Sequence, residues 1–288
     1  MDTTLSLNDS TIVMGPVHPF VIIGERINPT RRKKLADAMA AGDFSVIQEE
    51  ARVQAQAGAH VLDVNAGVPG CEEPALLRAA TLAVMDAVKL PLCLDSANPD
   101  ALAAALAVYP GKALINSTTA EEKMMDVVFP LAHQYGAAII GVLTDDRGVP
   151  ATARERLRTA ENLIKRAGDH GIAVEDILID PLALVVSADD QAARITLESI
   201  LLIQVELGVN MCLGASNVSF GLPDRKILNA AFLALAISRG LTSAITDPTV
   251  AEIQTALLAC DLLMGHDAYS MRWIKSFRAR QKAAAAKA

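Results

Sequence analysis

Eight short aliphatic runs, each followed by a polar or glycine-bearing turn and then a helical pattern, constrain this chain more than any other feature. The runs are Val21–Ile23, His60–Val64, Leu92–Asp95, Ala113–Asn116, Ala138–Leu143, Ile177–Asp180, Met211–Gly214 and Ser243–Thr246. Most are rich in Leu or β-branched residues and show little polar alternation. That is the pattern of strands covered on both faces. Between them lie stretches with apolar residues three and four apart: Asp43–Ala57, Thr152–His170 and Gln191–Leu207. Asp43 and Asn98 are suited to cap helix N-termini, with Pro99 at a first helical position. Gly58, Gly136, Gly171, Gly208 and Gly240 follow periodic stretches as C-terminal glycines do.

Strand then helix, repeated eight times, means parallel strands joined by crossover helices. From Asn28, after the first run, to Asp247, after the eighth, the spacing averages about 31 residues per unit. This matches a (β/α)8 TIM barrel of ~250 residues divided by eight. A doubly wound open sheet is the rival, and the count of eight favours the barrel. No linker or composition break appears, so residues 1–288 read as a single α/β domain with the barrel over about 20–277. Residues 1–18 read as a polar lead-in. The tail from about Arg278 either frays or extends a terminal helix.

Composition narrows the function classes. The chain is 52% hydrophobic but only 3% aromatic, so its core is aliphatic and it is too apolar to be disordered. No apolar run reaches the ~18 residues of a membrane span. No apolar segment of the secretory type follows Met1, so no leader is expected. A net charge of −7 argues against a nucleic-acid surface, which needs clustered Lys and Arg. Cys71, Cys93, Cys212 and Cys260 form no C-x-x-C pair, which suggests a reducing, cytoplasmic setting. Cys93 and Cys212 lie in apolar runs and read as small core residues, whereas Cys71 lies in a loop.

A barrel builds its active site at the C-terminal ends of its strands. Those ends read Gly24-Glu25-Arg26-Ile27-Asn28, Asp63-Val64-Asn65, Asp95-Ser96, Asn116-Ser117, Asp180-Pro181, Gly214-Ala215-Ser216-Asn217 and Thr246-Asp247. Asp and Asn dominate, and no Lys, His or Cys stands there. A Schiff-base lysine is missing, since Lys89 and Lys112 precede their strands. Histidine metal ligands are missing too: His60 starts a strand, while His133 and His170 end helices. A three-carboxylate Mg²⁺ site from Asp63, Asp95 and Asp180 is a minor alternative, and no metal is expected. Asp and Asn ends suit a flat heterocycle with donors and acceptors on its edge. One carboxylate accepts from an adjacent ring N–H and amino group, and an Asn amide reads ring nitrogens.

The segments Ile23-Gly24-Glu25-Arg26-Ile27-Asn28, Leu62-Asp63-Val64-Asn65-Ala66-Gly67, Leu92-Cys93-Leu94-Asp95-Ser96, Ile115-Asn116-Ser117, Ile179-Asp180-Pro181-Leu182 and Leu213-Gly214-Ala215-Ser216-Asn217-Val218-Ser219 resemble one family. It is the pterin-binding methyltransferases that act on methyltetrahydrofolate and a corrinoid protein. Its relatives are the folate module of cobalamin-dependent methionine synthase and, more distantly, dihydropteroate synthase. The resemblance runs from about Val21 to Phe277. It implies that Asp95, Asn116 and Asp180 contact the pterin ring and that Asn217 hydrogen-bonds near N5. It also brings Asn65, Gly214, Ser216, Arg225 and Asn28 to the pocket. It implies a homodimer, tetrahydrofolate or methyltetrahydrofolate as substrate, and cobalamin carried by a separate corrinoid protein. Asn217 and Asp95 are the expected catalytic residues.

The chemistry sets its own demand. A methyl group on a tertiary amine is a poor electrophile until N5 is hydrogen-bonded or protonated, and Co(I) must then attack in line. The strand ends show no acid with an obviously perturbed pKa, so activation by a hydrogen-bond network is expected. Phe220 stands where one branch of the family has Gln, which removes any role for a Gln at N5. Two rivals differ at the seventh strand. Dihydropteroate synthase normally has cations after its Ser, where this chain has Asn217 and Val218. A non-catalytic folate-binding or docking subunit has no need of Asn217.

Overall fold

The computed structural model describes residues 1–285. Among them, β1 (Thr3–Leu7) and β2 (Ser10–Met14) form an antiparallel hairpin. The barrel strands are β3 (Val21–Ile27), β4 (Val61–Asn65), β5 (Leu92–Asp95), β6 (Leu114–Thr119), β7 (Ala138–Val142), β8 (Ile177–Asp180), β9 (Cys212–Gly214) and β10 (Ser243–Thr246). The helices between and after them are α1 (Lys33–Ala40), α2 (Ser45–Gln56), α3 (Glu73–Ala87), α4 (Pro99–Leu106), α5 (Glu122–Tyr135), α6 (Ala153–Asp169), α7 (Ala192–Glu206), α8 (Arg225–Ile237), α9 (Ala251–Leu263) and α10 (Met271–Ala285). Each barrel strand runs parallel to its sequence neighbours, and β10 returns to pair with β3, Ser243 opposite Val21. The ring closes where Ile179 of β8 bridges Met211, just before β9. A closed sequential ring of eight parallel strands is a TIM barrel and excludes the open doubly wound sheet.

Strand alternation divides the core into two shells. Val21, Ile23, Val61, Cys93, Leu114, Ala138, Ile140, Leu178 and Cys212 fill the barrel interior. The intervening residues, among them Ile22, Leu62, Leu94, Ile115 and Ile179, pack outward against helix residues such as Leu77, Phe129, Leu163 and Leu233. Cys93 and Cys212 are fully buried, as core residues, and Cys71 is half-buried.

The first 18 residues correct the expectation of a polar lead-in. Leu5 and Met14 of the hairpin join the interior shell and close the barrel at the N-terminal ends of its strands. The Asn210 amide donates to Thr3 Oγ1 at 2.9 Å and to Met14 O at 3.0 Å, which ties the hairpin to the start of β9. The tail from Arg278 continues α10 as far as Ala285, and residues 286–288 lie outside the described residues. No helix among the described residues is long and apolar enough to cross a membrane.

Helix boundaries follow local chemistry. Asn98 caps α4 by accepting from Asp100 N at 3.0 Å. Thr152 and Glu155 form a reciprocal capping box that starts α6. Asp43 stands outside the expected cap position. It accepts from both the N–H and the hydroxyl of Ser45, and α2 begins at Ser45 itself.

Candidate functional site

At the C-terminal ends of the strands the barrel opens into a cavity of about 480 Å³. Its floor and walls include Glu25, Asp63, Asp95, Asn116, Gly214 and Asn217, and its rim includes Arg26, Asn28, Arg32 and Asp247. Strand register explains how they meet. Asn65, Asp95 and Asn116 are mutual neighbours across β4, β5 and β6, and each shares the parity of an inward residue. Asn65 Nδ2 donates to Asp95 Oδ2 at 3.0 Å. Asp63 lies one inward position deeper on β4, and Asn116 Nδ2 donates to its Oδ1 at 3.0 Å.

The carboxyls here are held away from their ordinary acidity. Burial pushes Asp63, which is 2% exposed, well up, and the charge of Asp95 adds to the rise. Burial pushes Asp95 up to about 6, while the Asn65 hydrogen bond opposes it. Two such carboxyls side by side cannot both ionise cheaply, which favours the protonated form of Asp63. Glu25 is likewise raised, first by burial, although the Ser216 hydroxyl donates to it at 2.8 Å. Asp180 is pushed up to about 6 by burial, against a hydrogen bond of 2.8 Å from Leu182 N. The expectation that no strand-end acid has a perturbed pKa is therefore overturned by Glu25, Asp63, Asp95 and Asp180.

Not every expected residue lines the cavity. Asp95, Asn116, Gly214, Asn217 and Asn28 do. Asn65 joins through Asp95, and Ser216 through Glu25. Arg225 donates to Ser216 O at 2.6 Å and to Ser219 Oγ at 3.1 Å, bracing the loop after β9. Asp180 ends β8 in the same strand-end layer without lining the cavity. It stays apart from Asp63 and Asp95, and no three His, Cys, Asp or Glu side chains among the described residues gather to hold a metal. At Gly214 a Cβ would lie 3.2 Å from the Asn217 amide nitrogen, so a side chain there would displace Asn217 by a few tenths of an ångström. Asn217 itself is exposed at the end of a single 3₁₀ turn.

The rim was only partly foreseen. Arg26 forks between Glu50, at 2.8 and 3.2 Å, and Asp247, at 3.0 Å. Arg32 also pairs with Glu50. Two guanidiniums lie over the exposed Phe220 ring, Arg31 at 4.9 Å and Arg225 at 5.7 Å from its centroid.

Comparison with known proteins places nearly the whole chain among its relatives. The chain is 31% identical over 266 residues to the methylcorrinoid:tetrahydrofolate methyltransferase of Eubacterium limosum, covering 90% of this chain and 96% of that protein. It is 32% identical over 238 residues to methionine synthase of Mycobacterium tuberculosis, covering 78% of this chain but only 20% of that larger protein. Dihydropteroate synthase from Xanthomonas albilineans, solved with 7,8-dihydropteroate, superposes with a TM-score of 0.67 at 19% identity, over 90% of this chain and 98% of that one. The Yersinia pestis enzyme gives 0.67 at 15% identity, over 91% and 99%. At such identities these two report the shared barrel alone. The model of the family described as pterin binding enzyme matches residues 24–247, from the β3 glycine to the rim aspartate, and the chain belongs to that family.

Proposed function

We propose that this protein transfers a methyl group between N5 of methyltetrahydrofolate and the cobalt of a corrinoid carried by a separate protein, in either direction. The observation that carries the reading is the gathering of Asp95, Asn116 and Asn217 on one cavity, with Asp63 buried beneath Asn116 and both carboxyls raised by burial. The Eubacterium limosum relative, named for methylcorrinoid and tetrahydrofolate, supports it across nearly the whole chain.

In this reading Asp95, Asn116 and Asp180 take the pterin edge, with Asn65, Ser216, Gly214 and Arg225 shaping their surroundings. Asn217 directs its amide N–H at N5, where it is worth most as charge develops. The N5–methyl bond breaks and its electron pair stays on N5, which takes up a proton from solvent. Co(I) supplies the pair of the new Co–C bond. Burial and mutual repulsion favour a protonated Asp63–Asp95 pair, which suits a donating network. The chain acts as one domain and as a homodimer in the cytoplasm.

The direct test mixes purified protein with methyltetrahydrofolate and Co(I) cobalamin and follows methylcobalamin by absorbance. Turnover is expected. Tight folate binding without turnover would leave a binding subunit in place of an enzyme.

A further inference from the structure

Arg156 lies in the first turns of α6 and is only 1% exposed. Among the described residues no carboxylate accepts a hydrogen bond from it; its guanidinium is directed at neutral oxygens. Nε donates to Pro150 O at 3.2 Å. Nη1 points at Pro181 O, Leu182 O and Thr196 Oγ1, at 2.6, 2.9 and 3.3 Å. The fork therefore gathers the approach to α6, the turn after β8 and the start of α7 onto one point. A buried cation without an ion pair is an expensive way to fill space, and an aliphatic side chain would pack more cheaply.

The turn it grips is strained. Leu182 has φ of 64°, a left-handed conformation that a branched side chain holds only where its surroundings over-determine it. Both ends of the residue are fixed. Its N–H donates to Asp180 Oδ1 at 2.8 Å, and its carbonyl accepts from Arg156 and from Thr196 Oγ1, the latter at 2.7 Å. The orientation of the Asp180 carboxylate thus depends on a residue whose carbonyl Arg156 holds.

We infer that Arg156 is a positioning residue: by clamping the Pro181 and Leu182 carbonyls it aims the Asp180 carboxylate at the pterin ring. The inference rests on the reading of Asp180 as a pterin contact. Arg156 also supplies the favourable charge near Asp180, opposing the rise that burial imposes. The other titratable group nearby is the buried Cys212 thiol, which burial keeps neutral. Without Arg156 the Asp180 proton is held to higher pH, and the carboxylate form that accepts from the ring is depleted near neutrality.

The test compares the full-length wild type with Arg156→Met, Arg156→Lys and Thr196→Val by two readouts. One is amide hydrogen exchange at Leu182. The other is tetrahydrofolate affinity by calorimetry between pH 5.5 and 8.5. In Arg156→Met, Leu182 exchange should accelerate at least tenfold while the barrel strands keep their protection. Folate affinity at pH 7 should fall at least tenfold and recover partly at pH 8.5. Arg156→Lys should restore part of the pH profile but little of the exchange protection, because an ammonium lacks the fork. Wild-type exchange and a wild-type pH profile in folded Arg156→Met would overturn the inference. If that variant fails to fold, Thr196→Val, which removes one donor from the Leu182 carbonyl, decides the matter. A smaller change of the same sign supports the clamp, and no change rejects it. Faster Leu182 exchange in a protein whose wild type binds no folate would retain the clamp and reject the pterin reading.

Discussion

Asp95 accepts from Asn65 while standing against the buried Asp63, and burial raises its pKa against the hydrogen bond from Asn65. Its folded pKa, about 6, lies above the ordinary value of 3.8. The stability linked to its proton is therefore fully present below pH 4 and is lost as pH rises through 6. Asp95→Asn keeps an acceptor for Asn65 and removes the charge. It should raise unfolding free energy at pH 8 by about 1–3 kcal/mol, with little change at pH 4.5, while methyl transfer is lost. Denaturant melts at the two pH values check the sign. Asn217→Ala should lower the chemical rate more than folate affinity, read by single-turnover kinetics beside calorimetry; an equal loss in both would make Asn217 a binding residue only. Asp180→Ala should weaken folate binding by ~1–3 kcal/mol, since two ring donors lose one shared acceptor. Among single residues, those on strand ends were legible because their inward parity follows from the runs themselves. Glu25 was not. The pairing of β3 with β4 slips between Gly24 and Ile27, so counting along the strand does not tell which way Glu25 faces. Arg156 was hidden too, because a helical arginine reads as solvated until the turn it reaches is seen.

Whole elements were legible where two signals agreed. Thr152–His170 brackets α6 to the residue, because the capping box fixes the start and the periodicity fixes the length. The β1–β2 hairpin was missed because Thr3 and Ser10 interrupt its inward apolar positions and its strands are too short to show a period. Thr3 is buried with its hydroxyl satisfied twice, accepting from Asn210 and donating to Glu175 O. The hairpin should still matter for stability. Leu5 is fully buried among the interior strand residues, and Leu5→Ala should cost about 2–5 kcal/mol in urea melts. Folate affinity should be unchanged, since the cavity lies at the opposite ends of the strands.

At the scale of the molecule, the low aromatic content and aliphatic core suit a barrel packed by Leu, Ile, Val and Ala. Under the proposed function they leave recognition of a flat ligand to edge contacts, with Phe220 engaged by two arginines. The surface is less complete than the core. Leu201 and Val205 of α7, with Leu228 and Leu235 of α8, expose apolar side chains on neighbouring helices. Such faces are usually covered, which agrees with the proposed homodimer. Light scattering should give about twice the 30.4 kDa chain mass, and Val205→Asp with Leu235→Asp should return it to one. The sequence carried no direct sign of this face, because exposed leucines are common on single helices and only the fold makes them neighbours.

The strand-end cavity opens through a doorway at the face of the barrel away from the stoppering hairpin. Under the proposed chemistry, folate and the cobalt carrier must use that doorway in turn. Folate enters first, the carrier then seats over it, and the spent folate waits for the carrier to leave. Saturating amounts of the carrier should consequently slow turnover, as a queue does when the last to arrive blocks the exit.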